Sequence, residues 1–346
     1  MMKQVLVRGF ALFLLLSCNK DRVPSPVTGS GVYVVNEGNF NFGNADISFY
    51  NANTKQIANE VFKNENGFLL GDVAQSMYIK DSLGFIAVNN SRKVELIKIP
   101  SLQHLKTINI PYSSPRYILP ADDSIAYVSE LYSNKVHVVN YIAGTLKSEI
   151  AVPQYTEHLA LVDEYIFAEG KKIYSNSNAK GAIFRLRIAD NSYVDKQEFA
   201  GDAGGLVVDK NKHLWLAVDE DTVSHTNSML VCFDKNLTVL SVYTMTNPEL
   251  HPTYLCIDGS GTRLYFLSGK NVYATDISAG HPSLLFSTAA NNVYSFSVDP
   301  LNGDFYLSDA LDYVQSSRIY RYNSNGDFIH SFTAGINAGN FCFHNE

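Results

Sequence analysis

Short apolar runs alternate with turn-forming residues along nearly the whole chain. The runs are four to six residues long and are bounded by Gly, Asn, Asp or Pro, which is typical of strands and too short for helices. Turn signals that contain an aspartate recur every 41 to 49 residues along the chain. These aspartates are Asp81, Asp122, Asp163, Asp209, Asp258 and Asp299. The spacing indicates an internal repeat.

Each repeat carries the signals of four strands. One apolar run precedes the turn aspartate and another follows it, as in 76–79 and 85–88. An alternating strand comes next, as in 93–97, and a more polar strand closes the unit, as in 106–110. Four strands in about 40–45 residues is the signature of one β-propeller blade.

The two ends of the chain predict how the ring closes. The globular part begins at 32–35 with a second-strand sequence, and the chain ends at 340–345 with a first-strand sequence. We therefore predict an all-β, seven-bladed β-propeller with four-stranded blades, in which the C-terminal strand completes the N-terminal blade. Such a ring has no free sheet edge. A pair of β-sandwiches, the alternative, leaves the missing first strand and the surplus last strand unexplained.

Composition narrows the function classes. Hydrophobic residues make up 46% of the 346 residues and charged residues 18%, which indicates a globular core. The formal net charge of −7 argues against a nucleic-acid partner, because phosphate binding needs a basic face. After the N-terminus, no apolar run reaches the ~18–20 residues that span a bilayer. We expect a soluble, acidic β-protein.

The N-terminus reads as a secretory signal. Lys3 and Arg8 flank a short apolar core, which ends in Leu15-Leu16-Ser17-Cys18. This ending resembles the bacterial lipoprotein box, with Cys18 as the lipidated first residue of the mature chain. A plain signal peptide with an incidental cysteine is the alternative.

We accordingly predict a lipoprotein signal peptide at 1–17, a lipidated tether at 18–30 and a single seven-bladed propeller domain at 31–346. The tether is rich in Pro and Gly, and its Asn19-Lys20-Asp21 stretch resembles the tag that directs Bacteroidetes lipoproteins to the cell surface. The membrane would be contacted only through the lipid on Cys18.

A binding face is predicted where the loops between second and third strands and the loops between blades emerge together. Tyr, Asn and acidic residues in these loops suit a large polar ligand with flat faces, although the same residue types also form turns. The predicted ligand-binding residues are Asn36, Glu37, Asn39, Phe40, Phe42, Asn89, Asn90, Arg92, Tyr112, Arg116, Glu130, Tyr132, Tyr155, His158, Glu169, Asp219, Tyr254, Tyr294, Asp309 and Tyr313.

No motif predicts catalysis, a metal or a cofactor. The nine histidines are scattered without paired spacing, and there is no Walker or nucleophile-elbow motif. A metal site from His158 and His251 with Glu130 or Glu169 stays an alternative. The acidic run 219–221 is interpreted as a solvated loop, with calcium binding as the alternative.

The remaining cysteines lie inside strand patterns. Cys232, Cys256 and Cys342 have no C-x-x-C partner, and they are predicted to be buried free thiols. A Cys232–Cys256 bridge between adjacent blades is the alternative in an oxidising compartment.

The lipoprotein cysteine, the Val34-Val35-Asn36-Glu37-Gly38-Asn39-Phe40 stretch and the seven blades together resemble the YncE-like propellers of Bacteroidetes surface lipoproteins. One branch of that family captures cobalamin and passes it to a TonB-dependent outer-membrane transporter. The resemblance implies a non-catalytic capture protein for cobalamin or a similar nutrient. It also implies a lipid-anchored place on the outer membrane, facing the exterior or the periplasm.

Two other functions remain open. One is a propeller enzyme of lactonase or lyase type with a metal at the channel mouth. The other is a protein-interaction scaffold.

Overall fold

The computed structural model describes residues 27, 29–171, 180–278 and 280–345. Within these ranges the chain forms strands and one short helix, α1 (Val61–Asn66). The strands are β1 (Gly31–Asn36), β2 (Asp46–Asn51), β3 (Gln56–Ala58), β4 (Ala74–Lys80), β5 (Leu83–Val88), β6 (Lys93–Lys98), β7 (Gln103–Asn109), β8 (Pro115–Pro120), β9 (Ile125–Glu130), β10 (Lys135–Asn140), β11 (Thr145–Ala151), β12 (Thr156–Val162), β13 (Tyr165–Gly170), β14 (Gly181–Arg187), β15 (Ser192–Phe199), β16 (Ala203–Val208), β17 (Leu214–Val218), β18 (Met229–Phe233), β19 (Val239–Thr244), β20 (Thr253–Ile257), β21 (Arg263–Ser268), β22 (Asn271–Asp276), β23 (Ser283–Ser287), β24 (Val293–Val298), β25 (Phe305–Asp309), β26 (Ser316–Tyr322), β27 (Phe328–Ile336) and β28 (Ala338–His344).

The strands form seven antiparallel sheets of four. Six sheets use four consecutive strands, from β4–β7 in blade 2 to β24–β27 in blade 7, and blade 1 has the order β28-β1-β2-β3. The innermost strands of neighbouring blades contact one another all around the ring. The predicted seven-bladed β-propeller is confirmed.

Strand β28 closes the ring. It pairs antiparallel with β1, so that Phe341 lies opposite Val34 and Phe343 lies opposite Val32. The rings of Phe341 and Phe343 also pack against Tyr306 of blade 7, with centroids 5.9 and 5.6 Å apart. Aromatic burial at this seam therefore holds the last strand to both neighbouring sheets. The predicted completion of the N-terminal blade by the C-terminal strand is confirmed.

The core lies between the faces of adjacent blades. Trp215 and Cys232 of blade 5, for example, pack with Leu264 and Phe266 of blade 6. Since both faces of each sheet are covered, the two middle strands of most blades read as nearly continuous apolar runs, and their side chains are buried.

Four of the six repeated aspartates, Asp122, Asp209, Asp258 and Asp299, stabilise the turn between the first two strands of a blade. Asp122 Oδ1 accepts hydrogen bonds from the backbone N–H groups of Ser124 and Ile125, both at 2.7 Å. Asp258 Oδ1 accepts in the same way from Thr262 and Arg263, at 2.8 and 2.9 Å. These carboxylates satisfy turn amides that the strand ladder leaves unpaired.

Three further observations bear on the sequence predictions. Helix α1, between β3 and β4, was not predicted, and no helix among the described residues is long and apolar enough to cross a membrane. Cys232, Cys256 and Cys342 are free thiols, and the alternative Cys232–Cys256 bridge is not formed. The predicted signal peptide and the predicted lipidation site, Cys18, lie outside the described residues.

Candidate functional site

A β-bulge occurs near the start of the innermost strand in every blade. Each bulge inserts one extra residue opposite the second strand. Such an insertion interrupts the alternation of side chains between the two faces of the sheet and changes the direction of one side chain. One residue from each bulge lies on the channel at this end of the ring, and we call these seven the mouth residues. They are Gln75, Arg116, Glu157, Gly204, Tyr254, Tyr294 and Gly339.

The mouth residues line one cavity of about 410 Å³, the mouth cavity. Other lining side chains come from the innermost strands, from the ends of the second strands and from the loops. They are Glu37, Tyr117, His158, Glu169, Lys171, Asp202, Asp219 and Thr253. The cavity has the size and the convergent polar groups of a small-molecule site.

A continuous arc of polar contacts runs along one side of the mouth cavity. Tyr294 donates its hydroxyl proton to Glu37 Oε2 at 2.7 Å, and Gln75 Nε2 donates to Glu37 Oε1 at 3.4 Å. Arg116 donates to Gln75 Oε1, and its Nε lies 2.8 Å from Glu157 Oε2. The arc therefore links blades 7, 1, 2, 3 and 4, and it fixes the orientation of every side chain in it.

Two glycines make room at the mouth. A Cβ on Gly339 would lie 2.3 Å from Glu37 Oε1, so the glycine of blade 1 leaves its place on the channel to the Glu37 carboxylate. A Cβ on Gly204 would lie 2.6 Å from the carbonyl oxygen of Pro252. At both glycines a neighbouring group occupies the place of a side chain, so these two blades contribute no mouth side chain.

A second cluster centres on the buried carboxylate of Glu169. His158 Nδ1 is hydrogen-bonded to Glu169 Oε2, and Lys171 Nζ lies 3.7 Å from Glu169 Oε1 and 3.3 Å from Asp202. The ring of Tyr117 packs on the His158 ring with centroids 4.3 Å apart. Since His158 is bonded through Nδ1, its Nε2 is the remaining proton acceptor of the neutral ring.

The two clusters hold their carboxyl groups in different states. Burial raises the pKa of Glu37, and the Tyr294 hydroxyl and Arg116 only partly oppose this shift. Burial would also raise the pKa of Glu169, but His158 and Lys171 more than offset it and lower that pKa to about 2. Glu169 is therefore ionised at neutral pH, and Glu37 holds its proton to a higher pH than an ordinary glutamate.

Arg116, Lys171 and the tyrosines of the mouth cavity have raised pKa values and remain protonated at neutral pH. Burial opposes the charge on Arg116, but Glu157 outweighs it and raises the pKa of the guanidinium. Burial raises the pKa of Tyr254 to about 12, and Glu37 adds to that shift. The cavity thus presents fixed hydrogen-bond donors beside an excess of carboxylates, which suits a neutral or cationic ligand rich in N–H groups.

The structure brings seven of the twenty predicted ligand-binding residues to the mouth cavity. They are Glu37, Arg116, His158, Glu169, Asp219, Tyr254 and Tyr294.

Four other predicted residues are buried, and their side chains hold the loops. They are Asn36, Asn89, Glu130 and Asp309. Glu130, for instance, accepts backbone N–H groups of Ser114 and Tyr132, both at 2.8 Å. Asp309 accepts the N–H of Asn291 at 2.7 Å. These polar groups therefore stabilise turns and do not face the mouth cavity.

The remaining predicted residues lie in the loops farther from the mouth cavity, and we call this set the rim. The rim residues are Asn39, Phe40, Phe42, Asn90, Arg92, Tyr112, Tyr132, Tyr155 and Tyr313. Phe42 is 76% exposed and Tyr112 is 89% exposed, so the rim presents flat apolar surface. Phe40, in the Glu37 loop, is also exposed.

Six polar residues of the site were not predicted. They are Gln75, Tyr117, Glu157, Lys171, Asp202 and Thr253. A signal for two of them exists in the repeat, because Gln75 and Glu157 each lie six residues before a turn aspartate, as Arg116 does. Aligning the repeats on that aspartate would have placed these side chains on the channel.

The alternative metal site at the mouth does not form. Glu130 is held by backbone amides, His158 pairs with Glu169, and His251 Nδ1 pairs with Asp219 Oδ1 at 3.0 Å. In the described part of the chain, these side chains do not form a group of three with metal-ligand spacing.

Fold and site together define a seven-bladed β-propeller with a polar cavity at one mouth of its channel. The chain belongs to the family described as "Domain of unknown function (DUF5074)", whose model matches residues 30–337. No curated protein matches the sequence.

Several solved structures share the fold. A quinonprotein alcohol dehydrogenase-like protein from Bacteroides thetaiotaomicron has a TM-score of 0.68 and 11% identity, over 89% of this chain and 76% of that one. Hydrazine synthase from Kuenenia stuttgartiensis has a TM-score of 0.65 and 12% identity, over 91% and 100%. Virginiamycin B lyase from Staphylococcus aureus has a TM-score of 0.61 and 14% identity, over 79% and 89%. At these identities the likeness shows the fold alone.

Proposed function

We propose that this protein is a non-catalytic ligand-capture protein that binds a small polar molecule at the mouth cavity. The observation that carries the proposal is the convergence of one bulged position from every blade on a single cavity. Loops and bulges on a rigid ring are where binding residues usually lie. The polar arc fixes its side chains before any ligand arrives, which lowers the entropy cost of binding.

The ligand we propose is cobalamin or a similar nutrient. Its amide side groups offer N–H donors to the carboxylates of the mouth cavity, and the flat corrin ring would lie on exposed rim aromatics such as Phe42 and Tyr112. The cavity volume of about 410 Å³ suits one such side group, with the ring remaining outside.

The cellular setting we propose comes from the resemblance to YncE-like surface lipoproteins. A lipid on Cys18 would anchor the protein to the outer membrane, facing the exterior or the periplasm. A TonB-dependent transporter would then receive the captured ligand.

Calorimetric titration with cyanocobalamin tests this proposal. We expect a dissociation constant in the micromolar range or tighter, and cyanocobalamin recovered unchanged. Arg116→Gln removes a cation from the polar arc and should weaken binding at least tenfold. Arg187→Gln, on the exposed side of β14, is the matched control and should leave affinity unchanged. No heat of binding with the wild-type protein contradicts the proposal.

A lyase or lactonase activity is the second candidate, and the His158–Glu169 pair favours it. A histidine oriented by an ionised buried carboxylate is the usual arrangement of a general base, and Tyr117 lies against its ring. One protein of similar fold is named as a virginiamycin B lyase. Incubation with virginiamycin B and simple lactones, followed by mass spectrometry, tests it. Product that forms with the wild type and not with His158→Ala supports this function, and no product contradicts it.

A further inference from the structure

A second cavity, of about 440 Å³, lies at the opposite end of the ring from the mouth cavity. It opens between blades 5 and 6, beside the turn that joins β16 to β17. The side chains that matter on its wall are Asp209, His213, Trp215, Cys232 and Ser241. The wall thus combines the carboxylates of Asp209 and Asp276 with one imidazole and one thiol.

The three potential ligand atoms converge. The Asp209 carboxylate, the His213 imidazole and the Cys232 thiol have ligand atoms that all lie within 4.8 Å of one another. Asp209 Oδ2 and His213 Nδ1 are 3.6 Å apart, which is too long for a direct hydrogen bond. Two ligands on one tetrahedral ion, at bond lengths of ~2.0–2.1 Å, are about 3.3–3.4 Å apart. The observed spacing therefore fits an ion between the two side chains after a small adjustment.

The surrounding structure orients these groups. The backbone N–H of His213 donates to Asp209 Oδ1 at 2.9 Å, which fixes the turn that carries both residues. Trp215 Nε1 donates to Asp209 Oδ2 at 3.0 Å. Cys232 lies opposite Trp215 on β17 and opposite Ser241 on β19, so strand pairing on both sides holds its backbone in place. Hydrogen-bonded supports of this kind hold metal ligands in place.

We propose that Asp209, His213 and Cys232 form a binding site for a divalent zinc ion. Oxygen, nitrogen and sulfur in one ligand set suit zinc better than calcium or magnesium, which prefer oxygen alone. Three protein ligands leave a fourth position open toward the cavity, where water completes the tetrahedron. Among the described residues, no other group of three such side chains has this spacing.

The site is independent of the proposed ligand capture. Its residues lie at the turn end of blade 5, and none of them lines the mouth cavity. A bound ion would link the 209–213 turn to β18 within one blade. Binding would also stabilise the folded state, because the unfolded chain does not hold the three ligands together.

Cobalt substitution tests the proposal on the full chain without an affinity tag. Cobalt(II) should bind with one-to-one stoichiometry, giving visible d–d bands of tetrahedral intensity and a near-ultraviolet thiolate-to-cobalt band, and excess zinc should remove all of them. Trp215, the only tryptophan, reports independently, since cobalt bound beside it should quench its fluorescence. Cys232→Ser should abolish the thiolate band, whereas Cys256→Ser, a matched change at another free thiol, should retain it.

His213→Gln provides a second variant if Cys232→Ser does not fold. Its side chain is about one-third exposed, and the substitution should weaken cobalt affinity at least tenfold. The absence of a thiolate band in the wild type, or its persistence in Cys232→Ser, overturns the assignment. Unchanged affinity in His213→Gln overturns it as well.

Discussion

The two ends of the innermost strands differ in kind. At the turn end, four of the seven blades carry an aspartate whose carboxylate accepts neighbouring backbone amides; these are Asp122, Asp209, Asp258 and Asp299. At the mouth end, the equivalent bulged position holds Gln, Arg, Glu, Gly or Tyr. The repeated end builds the ring, and the varied end gives the ring a specific surface. Similarity between repeats therefore identifies scaffold, and the departures from it identify the candidate site.

Weakening the closure of the ring should have the largest effect on stability, because the turn end and the mouth end both depend on the closed ring. Phe341 is 7% exposed at the seam and packs against Tyr306. Phe341→Ala should lower the free energy of unfolding by about 3–5 kcal/mol, as other buried Phe→Ala changes do. Phe328→Ala, at a 58% exposed position on β27, is the control and should cost less than about 1 kcal/mol. Urea unfolding measures both, and equal losses would contradict the closure described.

The pH dependence of stability should differ between the two buried carboxyl groups of the mouth cavity, Glu169 and Glu37. Glu169 has a lowered pKa of about 2, so its contribution is present above pH 4.5 and is lost as the pH falls from 4.5 toward 2. Glu169→Gln should therefore cost up to about 3 kcal/mol at pH 7, and less in acid.

The contribution of Glu37 to stability changes with pH in the opposite direction. Its raised pKa favours the folded state below pH 4.5, and that contribution is lost as the pH rises through the folded value. Glu37→Gln should therefore gain stability relative to the wild type as the pH rises from 4.5 to 8. Thermal unfolding across pH 3–8 measures both variants. The same trend in both would contradict the assigned charge states.

A substitution at the turn end should have the smallest effect on the free energy of unfolding. Asp258→Ala removes the acceptor of two backbone N–H groups in one turn and should cost about 1 kcal/mol. Asp258→Asn keeps an acceptor oxygen in the same place and should lose less than half of that. If alanine and asparagine are equally destabilising, the hydrogen bonds are not what the aspartate contributes.

The scaffold could be predicted from the sequence because it repeats. The period, the four strands per unit and the unmatched ends at 32–35 and 340–345 determine the blade count and the closure. Helix α1 could not be predicted in this way, since it occurs in only one repeat.

The candidate site could be predicted only in part, because it depends on geometry between blades. Arg116 and Glu157 lie 41 positions apart, and their ion pair exists because equivalent bulges in adjacent blades face the same channel. Glu130, in contrast, was predicted to bind the ligand and does not line the mouth cavity. A carboxylate at the end of a second strand on the predicted face resembles a ligand-binding group, but its oxygens accept backbone amides of the two adjacent loops.

The most direct test compares the two ends of a single strand. Strand β20 carries Tyr254 at the mouth and leads into Asp258 at the turn. Calorimetric titration with cyanocobalamin should show at least a tenfold loss of affinity in Tyr254→Ala, or about 1.4 kcal/mol, and less than a twofold change in Asp258→Asn. Equal affinities in the two variants, or a larger loss from Asp258→Asn, would contradict the claim that the mouth end binds the ligand.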